Sequence, residues 1–227
     1  MNPSALRKSL LAATLLGIGV ASHASLCETG QRQSPINITG AQRQPLAPLK
    51  FEYRAAPLKI ANDGHTARVR FSNGSVLRIG NQSYTLQQFH FHTPGGDRIE
   101  GEEFPMVVHL LHKSASGQLL ALAVLVRVGA ENPMLATLLP LVPAKPDGDH
   151  LHASVPVDPN MMLPDDRGYF RYSGSLTSAP CTEGVDWIVM KKPLQISADQ
   201  LATYKQKFAD NARAVQSVNR RTILESP

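Results

Sequence analysis

Gln88-Phe89-His90-Phe91-His92 alternates polar and aromatic residues, the period of a strand rather than a helix. On an extended strand residues i and i+2 point to the same face, so His90 and His92 share one side and Phe89 and Phe91 the other. One more imidazole from a neighbouring strand completes a three-nitrogen cup. Such a cup holds Zn²⁺ and leaves a fourth position for water, the arrangement of a catalytic rather than a structural site. His109, set among Val107, Val108, Leu110 and Leu111, is the third candidate. A hydrolytic or hydration enzyme is the leading expectation, against a strand that merely carries two polar residues outward.

The pattern around this stretch extends the strand reading. From Lys50 to Val128 short alternating runs are broken by turn residues. Ala67–Phe71 and Val76–Ile79 flank Asn73-Gly74, a strong hairpin signal. Phe104–His112 and Leu119–Val128 flank Ser114-Ala115-Ser116-Gly117, a second expected hairpin. The stretch 143–166, rich in Pro and Asp, reads as a surface excursion. Ser197 with Gln200 forms a capping box ahead of Leu201, Tyr204 and Phe208, whose spacing suits an amphipathic helix.

The remaining histidines carry weaker signals. His112 faces away from His109 on a strand, so pairing the two as ligands needs a helix that Val107-Val108 disfavours. His150 and His152 repeat the i, i+2 spacing, but among Pro, Asp and Gly they read as solvated loop residues. His65 follows Asn62-Asp63-Gly64 at a turn, where a polar surface residue is the plain reading. Its near-neutral reference pKa also suits proton transfer to buffer.

Arg7 and Lys8, the apolar run Leu10–Val20 and Ser22-His23-Ala24 read as a secretory signal over residues 1–24. The run is short for a membrane span, and residues 25–227 suit a single domain with a sizeable core. Losing Arg7 and Lys8 takes the formal charge from +5 to +3, with the other basic residues scattered. Nucleic acid is therefore a poor partner. Export to an oxidising compartment, periplasmic or secreted, favours pairing the only two cysteines, Cys27 and Cys181. Two free buried thiols are the alternative.

Gln88–His92, Gln33-Ser34-Pro35-Ile36-Asn37-Ile38 and Gly174-Ser175-Leu176-Thr177-Ser178-Ala179-Pro180-Cys181-Thr182-Glu183-Gly184 together resemble the bacterial branch of the alpha-class carbonic anhydrases, from about Cys27 to Ile223. The resemblance implies a mainly β domain with short helices, built around a large, twisted, mostly antiparallel sheet. It implies reversible hydration of carbon dioxide to bicarbonate and a proton at zinc. His90, His92 and His109 match the zinc ligands, His65 the proton shuttle, and Thr177 the threonine that orients the zinc hydroxide. Leu111, Ala121, Leu176, Val185 and Trp187, with Ser178 beside Thr177, match the substrate pocket. Gln88 and the backbone carbonyl of Asn219 match the partners of His90 and His92. Arg221 resembles a structural arginine, and Ser34-Pro35 and Ala179-Pro180 fall where the family has cis peptide bonds.

Three departures stand out. Gly96 occupies the position of a glutamate that receives the threonine hydroxyl's proton, and Asp97 is its adjacent substitute if the loop shifts. Val107 stands where a glutamate holds the third histidine. The aromatic segment before Gln33 is nearly absent. Beyond these three, Ala179 and Ala214 replace prolines, which are lesser changes. The expected function is carbon dioxide hydration at a reduced rate. The alternatives are a related zinc or binding protein with little catalysis, and zinc buffering through both His-x-His pairs.

Overall fold

The computed structural model describes residues 25–227, so the expected signal segment lies outside the described residues. Strands dominate, in one large sheet whose main path runs Asp147–Val157, Ala56–Asn62, Ala67–Arg70, Gln82–His92, Met106–Ser114, Leu119–Val128, Glu183–Met190, Tyr169–Ser175, Leu224–Glu225 and Gln42–Arg43. Neighbours are mostly antiparallel. Leu119–Val128 and Glu183–Met190 run parallel, as do the last two.

Period-2 alternation gives each central strand two apolar faces. In Met106–Ser114 and Leu119–Val128, the even-numbered Met106, Val108, Leu110, Leu120, Leu122 and Val124 join the larger core on one side of the sheet. Odd-numbered Val107, Ala121, Ala123 and Leu125 join a smaller cluster on the other, with Trp187 and Tyr172. His109 is odd-numbered and His112 even, so they face opposite ways as expected. His112 is buried, with Tyr53 Oη 2.6 Å from its Nε2.

The hairpin at Ser114–Gly117 forms as read, with Lys113 opposite Leu119. Asn73-Gly74 makes a turn, with Gly74 at φ +72°, but not a hairpin. Ala67–Arg70 and Val76–Ile79 both pair with Gln82–His92 instead, Arg68 opposite His90 and Val76 opposite Thr85. The eleven-residue strand offers an edge long enough for two short strands laid end to end. The two-residue hairpin lies one step later, at Gly80-Asn81, where Ile79 faces Gln82 and Gly80 takes φ +57°.

Residues 147–157 correct the loop reading of His150 and His152. Both lie in an edge strand, opposite Ile60 and Leu58. Pro and Asp are tolerated there because an edge leaves one row of backbone groups unpaired. The capping box at Ser197 and Gln200 is present, and the helix Ala198–Lys205 buries Tyr204. Cys27 and Cys181 are joined in a disulfide across 154 residues. Among the described residues no helix is long and apolar enough to cross a membrane.

Candidate active site

A bulge aims the histidines. The register between Gln82–His92 and Met106–Ser114 slips between Leu86 and Gln88. Tyr84 and Leu86 before the slip, and Phe89 and Phe91 after it, all pack into the larger core. One extra residue reverses strand parity, so Gln88, His90 and His92 leave the core and enter the cleft. His90 stands directly opposite His109. The three rings lie 4.8–5.3 Å apart by centroid, and one ring nitrogen from each falls within 4.8 Å of the others.

Two of the rings are oriented from behind. His90 Nδ1 donates to Gln88 Oε1 at 2.8 Å and His92 Nδ1 donates to a backbone carbonyl at 3.0 Å. That carbonyl belongs to Asn211, not to Asn219, whose side chain donates to the Gln31 carbonyl. A backbone carbonyl leaves no residue-type signal, so the sequence could not choose between positions in this loop. With Nδ1 occupied, Nε2 of His92 is left buried without a partner, as a metal-ligating nitrogen is in a metal-free chain. Donor set and orientation fit a zinc ion.

Electrostatics support the same use. Burial, then the neighbouring His92 and Arg68, lower the pKa of His90 to about 3. Burial and the other two rings hold His109 well below its ordinary value. Burial lowers His92 as well, opposed by the Asn211 carbonyl and Asp63. All three are neutral at physiological pH, the state ligation requires.

The cleft above the cup, about 640 Å³, is lined by His65, Gln88, His90, His92, Thr177 and Ser178 among others. Leu111, Ala121, Leu176, Val185 and Trp187 do not line that volume. They gather in the smaller apolar cluster, which meets the cup where His109 sets its ring at 83° to Trp187, centroids 5.0 Å apart.

The departures have structural consequences. Val107 is buried on the His109 face, and His109 Nε2 is buried without a partner. Asp97 does not serve Thr177: its Oδ1 accepts from Ile36 N–H and Tyr172 Oη, both at 2.9 Å. Burial raises its pKa to about 6. Arg221 donates to the Val218, Ser173 and Ser217 carbonyls, a structural use as the resemblance implied. The peptide bonds at Ser34-Pro35 and Ala179-Pro180 are cis, and so is Thr93-Pro94. The sequence reading missed Asn211, and also Arg213, which donates to the Gln33 side chain and to the Ser34 and Cys27 carbonyls.

The profile described as eukaryotic-type carbonic anhydrase matches residues 21–227. The chain belongs to the carbonic anhydrase family. It is 40% identical to a carbonic anhydrase of Pectobacterium carotovorum, over 88% of this chain and 82% of that one. The alpha-carbonic anhydrase of Thermovibrio ammonificans, solved with the inhibitor sulfanilamide, superposes with a TM-score of 0.83 at 36% identity, covering 88% of this chain and 89% of that one. Dioscorin, solved with ascorbate, superposes at 0.81 and 31% identity, covering 88% and 87%. The fold and the carbonic anhydrase assignment read from the motifs are thus met.

Proposed function

We propose that this carbonic anhydrase hydrates carbon dioxide reversibly with zinc held by His90, His92 and His109. The observation that carries the reading is the convergence of three neutral imidazoles within 4.8 Å, two of them fixed by hydrogen bonds from Nδ1. Zinc bound there lowers the pKa of a water toward neutrality and so supplies a nucleophile, the general chemistry of carbonic anhydrases.

The chain's own residues supply the rest. Thr177 and Ser178 sit at the cleft wall, where the Thr177 hydroxyl orients the nucleophile. Leu111, Ala121, Leu176, Val185 and Trp187 offer carbon dioxide an apolar rest beside His109. His65, exposed at the cleft mouth, passes the surplus proton to solvent. The Cys27–Cys181 disulfide supports an exported, periplasmic or secreted protein whose working domain spans residues 25–227, after a signal over residues 1–24.

The orphaned Nε2 of His109 and the missing carboxylate at Gly96 favour one competing reading, a carbonic-anhydrase-like zinc or binding protein with little turnover. Zinc buffering has less support, because His150 and His152 join no group of three ligands among the described residues. Stopped-flow carbon dioxide hydration on zinc-quantified protein separates these, with His92→Ala as blank. Turnover well above the blank is expected. Fully metallated protein no faster than the blank would leave the binding reading standing.

A further inference from the structure

Asn211 joins two parts of the site that the chain keeps far apart. Its Oδ1 accepts from Thr93 N–H at 2.7 Å, while Nδ2 donates to the carbonyls of His65 at 2.6 Å and Phe91 at 3.2 Å. Only this amide orientation fits, since the reverse would set NH₂ against an N–H and oxygen against two carbonyls. The backbone of the same residue accepts from His92 Nδ1 and donates to the Thr93 carbonyl. One residue therefore clamps the end of the histidine strand and reaches across to the turn that carries His65.

That turn has its own internal order. Asp63 Oδ1 accepts from the N–H groups of His65 and Thr66, and Arg68 pairs with Asp63 Oδ2 at 2.9 Å. Thr66 Oγ1 anchors the inner end to the Phe91 carbonyl at 2.7 Å. These bonds shape the turn, but among the described residues Asn211 is the one side chain outside it that bonds His65 itself. Without that bond an exposed turn is free to open locally, and proton transfer is sensitive to such displacement.

We propose that the Asn211 side chain is a positioning residue that holds His65 at its working place over the metal cup, so that proton export from the cleft depends on it. This rests on the reading of His65 as proton carrier. Asn211→Asp separates the two halves of the clamp, because a carboxylate keeps the acceptor for Thr93 but loses both donors.

The experiment measures steady-state hydration for the zinc-loaded wild type, Asn211→Asp, Asn211→Ala, His65→Ala and the Asn211→Asp/His65→Ala pair, in weak buffer and with added imidazole. Zinc content and hydrogen–deuterium exchange of residues 62–68 accompany it. Because Asn211 also orients His92, the readout is the split between the two constants: Asn211→Asp is expected to lower kcat about tenfold more than kcat/KM, to recover that excess with imidazole, and to add little to the kcat loss of His65→Ala. Unchanged kcat overturns the proposal. So does a joint fall of kcat and kcat/KM without imidazole rescue, or a loss that adds fully to that of His65→Ala. If the wild type itself fails to hydrate, the functional reading falls and the exchange data decide: faster exchange in Asn211→Asp sustains the positioning role, and unchanged protection overturns it.

Discussion

Gly96 lies so close to Pro35 that a Cβ built on it would stand 2.9 Å from the proline Cγ and 3.1 Å from its Cβ. The ring is part of the Gln33–Ile36 segment and not the loose end of a long side chain. Putting back the family's glutamate alone therefore forces backbone to move. Gly96→Glu is expected to lower stability by about 1–3 kcal/mol, read as a fall in Tm, without a gain in turnover. An undiminished Tm together with faster hydration would show that the segment yields freely.

Val107 offers a different opportunity. It precedes His109 by two residues on the same strand face, and His109 Nε2 lacks an acceptor. Val107→Glu supplies one, and outer partners of this kind are worth about 10–100-fold in metal affinity or activity. Chelator competition should show tighter zinc binding in the variant, at some cost to the metal-free protein's stability. Equal or weaker binding would mean that the carboxylate turns elsewhere.

Asp97 makes stability depend on pH in an unusual direction. Its folded pKa, raised to about 6 from an ordinary 3.8, means the folded state binds the proton more tightly than the unfolded chain. Its contribution is therefore most favourable below about pH 4, declines as pH rises toward 6, and is flat above. The cost at neutral pH is on the order of 2–3 kcal/mol. Asp97→Asn, which cannot ionise, should gain on the wild type between pH 4 and pH 7 in paired urea unfolding curves. A difference that stays constant across that range would contradict a raised pKa.

The Cys27–Cys181 bridge closes a loop of more than 150 residues, worth roughly 4–5 kcal/mol in the chain-entropy account. Cys27→Ser should shift the urea midpoint downward by a corresponding amount, and reductant should do the same to the wild type. Identical midpoints with and without reductant would show that the surrounding hydrogen bonds, such as Arg213 to the Cys27 carbonyl, suffice.

Much of this protein was legible as a string. Alternation in Met106–Ser114 and Leu119–Val128 announces strands with two apolar faces, and Ser114–Gly117 announces their turn. The i, i+2 spacing of His90 and His92 announces a shared face, and Ser197 with Gln200 a helix start. These are signals of local backbone geometry, which depends on neighbours a few residues away. Asn73-Gly74 shows the limit: it does turn the chain, but the partner each flanking strand takes is decided by the long edge of Gln82–His92.

The tertiary structure alone decided which way the histidines look and what holds them. The slip at Gln87 exists only in relation to the facing strand, and it sends His90 and His92 to the cleft while Tyr84 and Leu86 stay in the core. The acceptor for His92 is a carbonyl 119 residues away, chemically identical to every other carbonyl in the chain. Pro35 meets Gly96 across 61 residues of sequence. Residue type and period are written locally, whereas these contacts follow from how separate segments pack together, and packing is a property of the whole folded chain.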